Sequence, residues 1–110
     1  MKVNILGTEW TINFRTQKED NILNNADGYC DRTTREIVVL SNADLDSTLA
    51  DFEVYQKKVM RHEIIHAFMY ESGLGECWEH SRMGQDEQTV DWIAVQFPKI
   101  LKAFTEAGCI

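Results

Sequence analysis

The sequence predicts an α+β fold in which a small antiparallel sheet packs on one long helix, followed by two shorter C-terminal helices. Apolar residues alternate with period two within residues 1–40, which is typical of strands. After Ser41 they recur every three or four positions, which is typical of helices. A chain of 110 residues that is 44% hydrophobic fits one globular domain, residues 1–110.

The first forty residues predict three or four antiparallel strands. Trp10, Ile12 and Phe14 alternate with polar residues, and the segment 3–6 can pair with them as a hairpin. Residues 17–28 lack periodicity and contain Asn-Asn and Asp-Gly pairs. We therefore expect a loop there, with at most one helical turn.

A second hairpin is predicted from residues 29–31 and 36–40, joined by a turn at residues 32–35. The run Ile37-Val38-Val39-Leu40 is too apolar for an exposed strand. We expect this strand to be buried, in a sheet with one face that a helix covers.

A long helix is predicted to follow this sheet. Its pattern residues recur at spacings of three or four: Leu49, Phe52, Tyr55 or Gln56, Val59, Glu63, His66 and Tyr70. Gly73 is a natural residue to end the helix, and the candidate N-caps are Asp44, Asp46 and Ser47. Unbroken, the helix would span about 27 residues, or roughly 40 Å. Its middle must then lie in the core.

The basic residues of the long helix and the residues that end helices give the remaining predictions. Lys57, Lys58 and Arg61 are expected on the solvated side of the long helix. Residues 75–84 read as a polar loop. The next helix is predicted to end at about Phe97, because Pro98 suits the first turn of a new helix.

Charge and cysteine usage exclude several classes of function. The chain carries 18 acidic and 11 basic residues, a net charge of −7, which disfavours binding to nucleic acid or to an anionic membrane. Its N-terminal residues lack the apolar core of a signal peptide, and no stretch approaches a membrane span. The three widely spaced cysteines do not form a disulfide framework or a zinc knuckle. We expect a cytoplasmic protein with reduced thiols.

The segment His62-Glu63-Ile64-Ile65-His66 carries the chemistry. Two histidines at i and i+4 lie about 40° apart around a helix, so both imidazoles can bind one zinc ion. Glu63 is the neighbouring position, from which a carboxylate can take the proton of a zinc-activated water. The apolar neighbours indicate a buried helix on which charged groups need partners.

A catalytic zinc ion needs a third protein ligand. Glu87 and Asp91 lie at i and i+4 on the next predicted helix, so one carboxylate can bind the metal while the other accepts the N–H of a ligating histidine. The rival third ligand is His80, in the polar loop. We favour Glu87, because an ordinary acidic first turn does not explain Asp91.

The chain resembles the gluzincin zinc peptidases, in particular the minimal ImmA/IrrE-like metallopeptidases of phages and other mobile elements. An HExxH helix followed about twenty residues later by ExxxD carries the resemblance, together with Gly28-Tyr29-Cys30-Asp31. It implies one zinc ion held by His62, His66 and Glu87, with Glu63 as general base and Asp91 supporting a ligand. No oxyanion stabiliser can be assigned by this likeness; the candidates are Tyr70 and His80.

The resemblance also implies a binding mode. The strand before the HExxH helix would offer an edge along which a peptide or protein substrate lies as an extended strand. We expect a monomer or weak dimer that acts as a zinc-dependent metallopeptidase. The alternative is a zinc-stabilised module that binds a peptide or a repressor without significant hydrolysis.

Overall fold

The computed structural model describes residues 1–41, 50–77 and 86–110, and these form an α+β fold. The strands are β1 (Lys2–Ile5), β2 (Thr8–Arg15), β3 (Gly28–Asp31) and β4 (Glu36–Leu40). The helices are α1 (Phe52–Glu71), the single turn α2 (Leu74–Cys77) and α3 (Glu87–Glu106), with a 3-10 turn at Asn21–Asn24. None of these helices is both long enough and apolar enough to cross a membrane.

The sheet is mixed, so the prediction of a purely antiparallel sheet is wrong. Both predicted hairpins form, with β1 antiparallel to β2 and β3 antiparallel to β4. The strand order, however, is β1-β2-β4-β3, and β2 runs parallel to β4. A parallel pair needs a crossover connection, and the segment 16–35, which includes the 3-10 turn and the edge strand β3, provides it.

Strand β4 is buried on both faces, which explains its uninterrupted apolar sequence. Ile37 and Val39 face α1 and pack in one core with Trp10. Val38 and Leu40 face the opposite side, where Leu23 of the 3-10 turn covers them. The helical turn expected in the loop therefore covers the face of the sheet opposite α1.

Helix α1 is shorter than predicted. It spans 20 residues, and the side chain of Asp51 caps it by accepting a hydrogen bond from the backbone N–H of Val54. The predicted cap residues 44, 46 and 47 lie outside the described residues, and the helix begins only at Phe52. Its predicted end is confirmed, because Gly73 adopts a φ of +82° directly after the C-cap.

A carboxylate at the end of α1 fixes this helix to the sheet. Glu71 accepts hydrogen bonds from the indole Nε1–H of Trp10 at 2.8 Å and from the hydroxyl of Thr8 at 3.3 Å. Arg35 donates to the same carboxylate at 3.3 Å. The Trp10 bond and the bonds from Arg35 and Thr8 together hold the pKa of Glu71 below its ordinary value.

Helix α3 is continuous through Pro98, so the prediction of two helices in this region is wrong. It spans 20 residues after Asp86, whose carboxylate caps it by accepting from the backbone N–H groups of Gln88 and Thr89. Proline normally interrupts a helix because it leaves the carbonyl four residues earlier without a donor. Here that carbonyl, of Ala94, accepts a hydrogen bond from Arg61 of α1.

Replacing Glu71 tests the tie between α1 and the sheet. Glu71→Ala leaves the buried indole N–H of Trp10 without its acceptor, so the urea midpoint of unfolding should fall at pH 7. Because the pKa of Glu71 is lowered in the folded state, its contribution is present above the unfolded-state pKa of about 4.3. The difference between wild type and variant should therefore shrink as the pH falls through the folded-state pKa.

The matched control is Glu53→Ala at the other end of α1. Glu53 is exposed and pairs only at the surface with Lys57, so the midpoint should barely move. Equal losses for the two variants would contradict the role of Glu71.

Candidate metal centre

Three side chains from two helices converge on one point. His62 and His66 lie one turn apart on α1, and Glu87 is the first residue of α3. The two Nε2 atoms of the histidines are 3.0 Å apart. The Glu87 carboxylate lies 3.0 Å from Nε2 of His62 and 3.1 Å from Nε2 of His66. One ligand atom from each residue lies within 4.8 Å of the other two.

Asp91 determines which nitrogen of His62 faces this point. Its Oδ1 lies 3.3 Å from Nδ1 of His62, on the side of the ring away from Glu87. A carboxylate accepts, so Nδ1 carries the proton and Nε2 of a neutral imidazole presents its lone pair to the cluster. Lys58 forms an ion pair with the same Asp91 oxygen and, with His62, keeps the pKa of Asp91 below its ordinary value.

The donor set fits a divalent cation. In this tautomer the His62 Nε2 lone pair faces a carboxylate oxygen at 3.0 Å, and two acceptors at that distance repel unless a proton or a metal ion lies between them. Two imidazole nitrogens and one carboxylate oxygen are a common ligand set for catalytic zinc. The structure therefore brings together His62, His66 and Glu87 in an arrangement that could hold such an ion.

Glu63 lies beside the cluster and is not one of the three converging residues. Its side chain is buried, and this burial is the main reason that its pKa is raised, to about 7. Within that net value the charges of His66 and Lys58 lower the pKa, and the charge of Glu87 raises it. A carboxylate with such a pKa can both accept and release a proton near neutral pH.

Gly28 allows β3 to approach α1 beside Glu63. A Cβ atom at this position would lie 2.8 Å from Cγ1 of Val59, 3.0 Å from the carbonyl oxygen of Val38 and 3.3 Å from Cγ of Glu63. Those distances are too short for any larger residue without movement of the strand or the helix. In the sequence, Gly28 stands out only as part of the Gly28-Tyr29-Cys30-Asp31 motif, because a close approach between distant segments leaves no local pattern.

A cleft of about 460 Å³ connects the cluster with β3. Its walls include the three converging residues and Glu63, and its rim on the sheet side is Ala26, Asp27, Gly28, Tyr29 and Cys30. Burial, together with the nearby charges of Glu63 and Asp31, raises the pKa of Cys30 to about 12. The thiol is therefore protonated at neutral pH, which makes it a poor nucleophile and a poor metal ligand.

Of the two candidates for oxyanion stabiliser, the structure describes Tyr70 and not His80. Tyr70 lines the cleft, and the guanidinium of Arg32 lies 5.5 Å from the centre of its ring. Burial raises the pKa of Tyr70, so its hydroxyl keeps its proton and can donate. His80, the rival third ligand, lies outside the described residues.

Two cations predicted on the solvated side of α1 lie against α3. Lys58 pairs with Asp91, and Arg61 donates to the backbone of Ala94. Only Lys57 is exposed, as predicted. Helical periodicity placed all three on one side, but the length of the Lys58 and Arg61 side chains lets them reach the neighbouring helix.

No protein-family model, curated protein or solved structure matches this chain.

Metal binding tests the cluster directly. After dialysis against a zinc buffer, wild type should retain one zinc ion per chain, and Glu87→Ala should weaken retention because one of three ligands is lost. The matched control is Gln88→Ala, whose exposed side chain lies next to Glu87 in the first turn of α3. Elemental analysis and competition with a chelator would measure zinc retention by both variants.

His80→Ala distinguishes the rival third ligand. If His80→Ala weakens zinc retention more than Glu87→Ala does, the third ligand is His80. If Gln88→Ala loses as much zinc as Glu87→Ala, the cluster is not the binding site.

Proposed function

We propose that the protein is a zinc-dependent metallopeptidase. The observation that carries this proposal is the placement of a buried carboxylate, Glu63, in the same cleft as a two-histidine, one-carboxylate cluster. A purely structural zinc site has no need of such a carboxylate, because its fourth position is closed by another ligand.

The residues that would hold zinc are His62, His66 and Glu87. Zinc bound there would lower the pKa of a water molecule and polarise the carbonyl of a peptide bond. The Glu63 carboxylate would take a proton from the attacking water and deliver it to the nitrogen of the leaving amine. Asp91 would keep His62 in the tautomer that binds metal through Nε2.

The hydrogen-bonding pattern of β3 supports a peptide as the substrate. The backbone N–H of Leu40 donates to the carbonyl of Asp27, so in this antiparallel ladder Asp27, Tyr29 and Asp31 turn their polar groups towards β4. The alternate residues Gly28 and Cys30 therefore turn theirs outward. Both line the cleft, and β3 is an edge of the described sheet.

An extended peptide could add to this edge by pairing with Gly28 and Cys30. That position lies beside Glu63, because a Cβ atom at Gly28 would lie 3.3 Å from Cγ of Glu63. The same edge would serve the alternative function, capture of a peptide without hydrolysis. The two functions differ in whether Glu63 is needed for turnover.

Glu63→Gln tests catalysis separately from metal binding. Glutamine keeps the shape of the side chain but cannot take a proton, so hydrolysis of a library of quenched fluorescent peptides should fall by about 10²-fold or more. Zinc retention should be unchanged, because Glu63 is not one of the ligands. Glu53→Gln, on the exposed surface of the same helix, is the matched control.

Cleavage by Glu63→Gln at the wild-type rate would refute the assignment of the general base. Tight binding of library peptides with no cleavage by wild type would instead favour the capture function.

Backbone methylation of a cleaved peptide tests pairing with β3. Once a cleaved library peptide is identified, single N-methyl groups are placed at successive positions. Each methyl removes one N–H donor, so methylation should weaken binding only at alternate positions, those whose N–H groups face β3. Inhibition constants of the methylated peptides measure this. Equal effects at neighbouring positions would contradict an extended strand.

A further inference from the structure

We propose that Arg61 is a positioning residue, which holds α3 in the orientation that brings Glu87 and Asp91 to the two histidines. It does so by donating to a backbone carbonyl that Pro98 leaves without a helical partner. This inference rests on the proposed function in one respect: the geometry that Arg61 maintains is that of the proposed metal site.

The carbonyl of Ala94 is the acceptor in this contact. In an α-helix it would accept from the backbone N–H four residues later, but that residue is Pro98, which has no N–H. Ala94 is fully buried, so water cannot replace the lost donor. Arg61 Nε lies 2.7 Å from this oxygen and donates to it. The arginine thus satisfies a buried acceptor that would otherwise destabilise the helix.

The position of this contact links it to the cluster. Arg61 is the residue before His62 on α1, and Ala94 lies three residues after Asp91 on α3. Glu87, Asp91 and Ala94 are spaced by four and three residues, so they lie on one face of α3. A hydrogen bond that fixes Ala94 against α1 therefore fixes the rotation of α3 that points both carboxylates at His62.

A general role as a surface cation does not account for Arg61. Lys57 has that role on the same helix, where it is exposed and pairs with Glu53. Arg61 instead lines an apolar groove between α1 and α3, together with Ile64 and Ile93. Its Nε donates to the backbone carbonyl of Ala94 on the other helix.

A double-mutant cycle between Arg61 and Pro98 tests the proposal. Arg61→Met keeps the apolar stem but removes the donor, so the apparent zinc affinity should fall about tenfold and the urea midpoint should fall as well. Pro98→Ala restores a backbone N–H for the Ala94 carbonyl. In that background the same Arg61→Met change should cost about twofold or less. Lys57→Met in both backgrounds is the matched control.

The outcomes separate this inference from the proposed function. Rescue of both zinc affinity and the urea midpoint by Pro98→Ala supports the proposal, because a role through charge alone would not respond to a new backbone donor. Additive losses in the two backgrounds would overturn it. If wild type binds no zinc, the proposed function fails, and non-additivity of the urea midpoints alone then decides whether Arg61 satisfies the Ala94 carbonyl.

Discussion

The contact between α1 and α3 is the interaction on which the candidate site depends. Its side chains reach across at successive turns: Lys58 to Asp91, Arg61 to Ala94, and His62 and His66 to Glu87. Each helix supplies only part of the donor set, and no set of ligands exists until the two are docked.

The sheet holds the opposite side of α1. Trp10 is buried in the core between sheet and helix, and its indole N–H donates a hydrogen bond to Glu71. Near the middle of α1, Val59 packs in the same core, and Gly28 lets the edge strand approach closely there. The helix is therefore held along its length by the sheet, while its other side remains available for α3. This arrangement places the histidines at the boundary between core and cleft.

Local patterns in the sequence predicted the elements well and their long-range relations less well. Period-two alternation around Trp10 identified the first hairpin, the turn at residues 32–35 the second, and the spacing of three or four residues identified α1, because each of these signals lies within a short segment. The parallel pairing of β2 with β4 was missed, since hydrophobicity does not record strand direction. Pro98 was read as a break because its compensating donor, Arg61, lies on another helix. The Glu87 and Asp91 pair was identified because it shares one helix face, whereas Gly28 is defined by a contact between distant segments.

The shortness of β3 limits what can pair with it. The strand has four residues, or about 13 Å of edge, and turns outward the polar groups of only Gly28 and Cys30. So short an edge is a weak template for sheet-to-sheet aggregation. A partner must bring a segment whose own backbone groups are unpaired, which means a loop, a terminus or a locally unfolded stretch. Selectivity at this edge would therefore depend on the conformational state of the target as much as on its sequence.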